Sequence, residues 1–335
     1  FVLGWRQLAA WYDAAGRPRD FLEASEQFVK LEPSNPLAYL YRGEARRGLA
    51  DRRGAMADFQ KAFDLDPTFE AAGLNLVTEQ LAAGDAASAA RTLGTLREHA
   101  DGPLVRLRGI QIACQQGSLD IALANFRDLA SDPDASRGTL REALFAFDAE
   151  GWGPPLSVEL QELALAPDAN PDLAGLWAER AVTGGLAESV AERLPGLLAD
   201  NPPAGREVLL AYLWATAEAG KPVQPIVQRY SEALRSDSVA WARAGAALVT
   251  AGQYGMASAW LTGWREREGV EAWMLRPLVT VYRLLDQDER ALDVCRAAVK
   301  LGGPEEILAD FRAWLALDFA LSGQADEAFG QVSKV

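Results

Sequence analysis

A turn residue recurs along this chain at a nearly constant interval. Gly16, Gly84, Gly117, Gly151, Gly184, Gly220, Gly252 and Gly323 form the series, and Ala50 and Asp286 stand where its missing members belong. The successive spacings are 34, 34, 33, 34, 33, 36, 32, 34 and 37 residues. A period near 34 over the whole length means one supersecondary unit repeated, which fixes the architecture before any single residue is considered. Each unit of such an array contacts only its neighbours, so 335 residues need not share one large core. With 49% hydrophobic residues the protein has enough apolar surface for continuous burial and too much for disorder.

Residues 36–69 show what one period contains. Apolar and small residues fall at helical spacing in two blocks, with a break at Leu49-Ala50-Asp51. Each block is too short to be a stable helix alone in water. Packed antiparallel, two such helices hide one face of each, and the next unit covers the rest. Pro67 ends the unit, because proline cannot continue a helix and disfavours helical geometry just before itself.

These residues resemble a tetratricopeptide repeat. In the second unit the large residue early in the first helix is Tyr39, the close-packing glycine is Gly43, and the second-helix alanines are Ala55 and Ala62, with Phe59 between them. The first unit matches with Trp5, Leu8, Tyr12, Gly16, Phe28 and Leu31-Glu32-Pro33, but has Ala9 for the close-contact glycine and Phe21 for an alanine. The eighth matches with Trp241, Gly245, Leu248, Gly252, Tyr254 and Ala257, and the ninth with Leu278, Tyr282, Ala291 and Ala298. The third and fourth keep Gly84-Asp85 with Ala89, and Gly117 with Ala122 and Phe126. The resemblance implies an all-α, right-handed α-solenoid of about ten helix-turn-helix repeats, a superhelix in which the first helix of each repeat lines the concave side.

The sequence divides into repeats 1–4 over 1–136, divergent hairpins 5–6 over 137–205, and repeats 7–10 over 206–335. The middle segment contains GWGPP at 151–155 and NPP at 201–203, and Trp177 replaces a small residue at the closest helix contact. Its prolines and glycines leave open a kink or flexible joint instead of a rigid continuation. Neither end reads as a polar capping helix, so the expectation is a segment of a longer polypeptide with additional domains.

The net charge of −14 is concentrated in residues 136–205, with 4 basic and 11 acidic side chains. Such a surface repels phosphate backbones, which argues against nucleic-acid partners. No apolar run approaches the length of a membrane span, so membrane insertion is not expected. Cys114 and Cys295 lie far apart, which argues against a disulfide framework and fits a reducing, cytoplasmic setting.

Chemistry is sparse. His99 is the one histidine and reads as a surface residue, with no second metal ligand or nucleophile at recognisable spacing. No phosphate-binding glycine motif occurs. Carboxylate pairs such as Glu159 and Glu162, or Glu305 and Glu306, read as solvated helix-surface charges. No catalytic, cofactor or metal site is therefore assigned, and the protein is read as a non-enzyme.

What remains is a binding surface. On the first-helix faces the phasing places Arg6, Tyr41, Glu44, Arg47, Arg108, Gln111, Arg141, Phe145, Trp214, Arg276 and Arg283. Arginine and aromatic side chains are frequent binding anchors, and arginines clamp carboxylates by paired hydrogen bonds. The resemblance's Lys/Asn clamp for a peptide C-terminus cannot be assembled, because Asn75 is the sole asparagine in a first helix. Of the tryptophans, Trp241 reads as core, Trp260 and Trp264 as one packed face of a second helix, and Trp214 and Trp273 as groove candidates, though buried packing fits Trp273 better. The expected function is a scaffold holding a peptide or protein segment in the concave groove. The alternatives are a substrate-recognition or regulatory region of a larger enzyme, and a small-molecule or peptide-signal sensor with an enclosed pocket.

Overall fold

The computed structural model describes residues 2–166, 169–199 and 206–333. The described residues form helices and turns, without a strand. They fall into two compact units, residues 1–173 and 174–335.

The first unit is a stack of antiparallel helical hairpins: α1 (Val2–Ala14) with α2 (Pro18–Leu31), α3 (Pro36–Gly48) with α4 (Arg52–Leu65), α5 (Glu70–Ala82) with α6 (Ala86–Arg97), α7 (Pro103–Gln115) with α8 (Leu119–Ala130), and α9 (Arg137–Ala149) with α10 (Gly153–Ala164). The unit boundary falls within α11 (Pro171–Thr183), which is followed by α12 (Ala187–Ala199). The second unit continues with α13 (Arg206–Glu218), whose partner is broken into α14 (Gln224–Arg229) and α15 (Ser231–Arg235). Then come α16 (Ser238–Thr250) with α17 (Tyr254–Leu261), α18 (Arg276–Leu284) with α19 (Asp288–Leu301), and α20 (Glu305–Leu321) with α21 (Ala325–Val332). Short 3-10 turns at Trp264–Glu266 and Ala272–Leu275 lie between α17 and α18.

One backbone device makes every hairpin. The residue after the first helix sits in the left-handed region at Gly16, Ala50, Gly84, Gly117, Gly151, Gly185, Gly220, Gly252, Asp286 and Gly323. At each, its N–H donates to the carbonyl three residues back, and the next N–H donates to the carbonyl five back. Ala50 to Arg47 and Asp51 to Arg46, both at 2.9 Å, is one instance. This pair of bonds satisfies carbonyls that the helix end leaves unpaired. The two non-glycine members of the series are thus confirmed as turn residues, with φ of 62° at Ala50 and 55° at Asp286.

At one position the sequence assigned the wrong residue. Gly185, not Gly184, takes the positive φ of 83°. Adjacent glycines both fit the period, but Gly184 is the last residue before the reversal and its N–H still bonds helically to the Arg180 carbonyl.

The turn also starts the second helix. In two hairpins the residue after the left-handed one caps the next helix: Asp51 accepts the Gly54 N–H at 3.0 Å and Asp85 accepts the Ser88 N–H at 2.9 Å. Hydrogen bonds from the Ser88 hydroxyl and N–H draw the Asp85 carboxyl below its usual range. GWGPP is the same device: Gly151 makes the turn and α10 begins at Gly153 with proline in its first turn. The NPP at 201–203 lies outside the described residues.

Close approach within a hairpin is set by missing side chains. A Cβ on Gly43 would lie 2.5 Å from the Phe59 ring, and one on Gly245 would lie 2.4 Å from Leu261. Phe59 is fully buried, joined in one core cluster by Ala55, Ala62, Leu76 and Leu93. Burying a ring of this size contributes about 1.5–3 kcal/mol. Trp177, at the position where a small residue was expected, is itself buried.

Trp260 and Trp264 are both buried, as anticipated, but not as one helical face. α17 ends at Leu261, Gly263 reverses the backbone at φ 83°, and Trp264 sits in the following 3-10 turn. Trp241 is 1% exposed and is locked to Trp260 by reciprocal bonds, each indole N–H donating to the other residue's carbonyl at 3.0 and 2.9 Å.

Candidate functional site

The anticipated surface residues fall on first helices, and most of the arginines there reach to the next hairpin. From α3, Arg47 Nη1 donates to Asn75 Oδ1 on α5 at 2.6 Å, with its guanidinium 5.5 Å from the Phe59 ring. From α7, Arg108 Nη1 donates to Gln111 Oε1 at 2.6 Å and to Glu142 Oε1 on α9 at 3.0 Å. Gln111 Nε2 donates to the same Glu142 oxygen at 2.9 Å. In the second unit, Arg276 on α18 pairs with Asp310 on α20 at 2.7 Å and reaches the carbonyls of Glu306 and Ile307. Arg283 stacks 3.5 Å over the Trp314 ring on α20. Residues about one period apart are brought together, so these side chains form rungs between successive first helices.

The remaining residues are placed as follows. Arg6 and Arg141 are exposed. Tyr41 is half-buried, edge-on to Phe21 at 5.9 Å and Phe28 at 6.3 Å, and is part of the packing between the first two hairpins. Glu44 is half-buried, and desolvation followed by the charge of Asp13 pushes its pKa up despite Arg47 nearby. Trp214 is half-buried with its Nε1 donating to Glu218 at 3.2 Å. Trp273 is half-buried with its Nε1 on Glu271 at 2.9 Å.

Phe145 stands apart. It is 63% exposed on α9, one helical turn from both Arg141 and Glu142. Helical spacing puts these three on one face, next to the Arg108–Gln111–Glu142 rung. The result is an exposed apolar ring beside a bonded polar frame.

The sequence did not foresee the internal bracing. Asp58, 3% exposed on α4, accepts Arg42 Nε at 2.9 Å, Arg42 Nη2 at 2.6 Å and Arg46 Nη1 at 2.7 Å. Hydrogen bonding to Asp58 raises the Arg42 pKa against its own desolvation. Glu159, read as a solvated charge, is instead held by both Nε and Nη2 of Arg127 at 2.6 Å. The only signal for the second pair was an arginine and an acidic residue 32 positions apart, and Asp58 lies just 16 and 12 positions from its two arginines, within one hairpin.

Reactive groups are muted. Both cysteines are free and buried, and burial pushes each thiol up to about 11. Such thiols are almost wholly protonated at neutral pH and therefore poor nucleophiles. Among the described residues no three His, Cys, Asp or Glu side chains are grouped to hold a metal ion. His99 is exposed. No helix among them is long and apolar enough to cross a membrane.

No family model and no curated protein sequence matches this protein. Solved structures do resemble it. Yeast Tom70 aligns at 9% identity with a TM-score of 0.42, covering 99% of this sequence and 91% of that one. A tetratricopeptide repeat protein from Parabacteroides merdae aligns at 13% identity and 0.40, covering 82% and 96%. The P58(IPK) TPR domain aligns at 16% identity and 0.30, covering 95% and 99%. The fold is tetratricopeptide-like. That statement rests on the hairpins themselves: paired helices at a period near 34, a left-handed turn inside each, and glycine where two helices touch.

Proposed function

We propose that this protein is a non-catalytic scaffold that holds a peptide or protein segment along the first-helix faces of its hairpins. Phe145 carries the reading: it is a large aromatic side chain exposed beside a bonded polar rung, and aromatic residues including Phe are enriched at the cores of protein interfaces. The protonated, buried cysteines and the exposed lone histidine support a role without covalent or acid–base chemistry. Arg108 and Gln111 act mainly to fix the rung and Glu142, while Phe145 and Arg141 face the partner. On this reading the partner is protein, with no nucleic acid, membrane or cofactor involved, and further domains of the same polypeptide are among the candidates for it.

Affinity capture from native lysate with the whole protein and its Phe145→Ser variant tests this. Loss of the captured protein with an unchanged unfolding midpoint supports the surface. Equal capture by both removes it.

A further inference from the structure

In the second unit, the connection after α15 and the connection after α17 face each other across an open pocket of about 880 Å3. Its walls are these two connections, the first turn of α16 and Met274, so it is separate from the rungs described above.

Two arginines stand in it on a rigid aromatic platform. Arg235 lies 4.1 Å over the Trp260 ring and Arg267 lies 5.0 Å over the Trp241 ring. The reciprocal indole-to-carbonyl bonds hold both rings, because turning either would strand a buried donor. Arg267 Nη1 donates to the Arg235 carbonyl at 3.0 Å, which ties the two together. Among the described residues neither guanidinium is hydrogen-bonded or ion-paired to a carboxylate, and Asp237 acts on Arg267 only through its charge. Burial, and then the charge of Arg235, pull the Arg267 pKa down against the opposing charge of Asp237.

The pocket's carboxylates are of two kinds. Asp237 is occupied, capping α16 through the Ala240 N–H at 2.8 Å and pairing with Arg206 at 3.0 Å, and Glu271 accepts the Trp273 indole. Glu266 and Glu268 are exposed on the same wall as Arg267. Two arginines among four carboxylates disfavour a polyanion, but leave room for one singly charged group.

We infer that this pocket is a second binding site, which takes a single carboxylate of a peptide or protein on Arg235 and Arg267, with a flanking basic residue against Glu266 and Glu268. The guanidinium donors left over by the platform form charge-assisted bonds to the carboxylate, and the tryptophans fix their planes beforehand. An acidic side chain and a free peptide C-terminus supply the same group. The inference does not depend on the first-helix surface.

The test follows the side-chain Nε–H resonances of Arg235 and Arg267 in the whole protein. The probes are acetyl-Lys-Ala-Glu-Ala-Lys-amide, its Gln counterpart, its phosphoserine counterpart, and acetyl-Lys-Ala-Ala with a free carboxylate. The Glu peptide or the free-carboxylate peptide shifts both resonances saturably, and whichever binds more tightly identifies the source. The Gln peptide binds at least about 10-fold more weakly, as does the Glu peptide to the Arg235→Gln/Arg267→Gln variant. A Glu266→Gln/Glu268→Gln variant, which leaves the platform intact, weakens the lysine-flanked peptide and strengthens the phosphoserine one. No saturable shift by about 10 mM, equal binding of the Glu and Gln peptides, or tightest binding of phosphoserine to the unaltered protein overturns the inference.

Discussion

Ala50 and Gly84 occupy the same turn in successive hairpins, and exchanging their chemistry has opposite consequences. Ala50 holds φ at 62°, where an L-residue with a Cβ is strained by about 1–2 kcal/mol. Ala50→Gly relieves that strain but gives the unfolded polypeptide more freedom, worth about 0.4–1 kcal/mol. The net gain is about 0.5–1 kcal/mol. Gly84→Ala runs the other way. No atom lies within 4 Å of the added Cβ, so the penalty is backbone strain alone at φ 76°, and the net loss is about 0.5–1 kcal/mol. Native-state hydrogen exchange at the Asp51 and Asp85 amides reads the effect locally, without requiring the array to unfold in one step. Those amides close the turns at 2.9 Å to the Arg46 and Gln80 carbonyls. Protection of Asp51 rises about 2- to 5-fold in Ala50→Gly, and that of Asp85 falls by a similar factor in Gly84→Ala. Helix-interior positions give the reverse signs, since alanine exceeds glycine there by about 0.8–1 kcal/mol. Lower protection in Ala50→Gly, or higher in Gly84→Ala, refutes the turn assignment.

Three further outcomes follow from buried groups. Asp58→Ala leaves Arg42 and Arg46 facing a vacated site, and lowers stability by about 2–3 kcal/mol in urea unfolding, below the fully buried range because both arginines reach water. Glu44→Gln stabilises the fold at pH 7, because the folded-state pKa of Glu44 is raised and the ionised form is penalised there. That advantage shrinks as pH falls through the raised value and is gone once the carboxyl is protonated in both states. Cys114 and Cys295, with thiols near 11, resist iodoacetamide in the native protein at about pH 7.5 and react once it is unfolded in urea.

Much of the hairpin register was legible because the left-handed turn is a local device. It needs one residue that tolerates the left-handed region, and that residue leaves a mark every 34 residues or so, strong enough to pull Ala50 and Asp286 into the series. Where two residues satisfied the same mark, as at Gly184-Gly185, only the hydrogen bonds decided between them. The broken second helices were less visible. α17 ends at Leu261 just before the left-handed Gly263, a glycine outside the periodic series, and α14 and α15 separate at Tyr230 with no proline at the break.

The surface was legible in position but not in partnership. Sequence phasing put Arg47, Arg108, Arg276 and Arg283 on first helices, yet the partner of a side chain across the stack depends on the offset between hairpins, which no local pattern encodes. That offset turns these four arginines into rungs, while Phe145 stays exposed. It also hides the Arg235–Arg267 pair, whose platform exists only because Trp241 and Trp260 bond each other across a hairpin.

The most direct measurement of the proposed interaction surface is an amide-exchange footprint of the protein with its captured partner against the protein alone. The account predicts added protection on α5, α7 and α9, greatest around residues 141–145, with α4, α6 and α8 unchanged. Protection confined to those second helices, or none in the first unit, contradicts it.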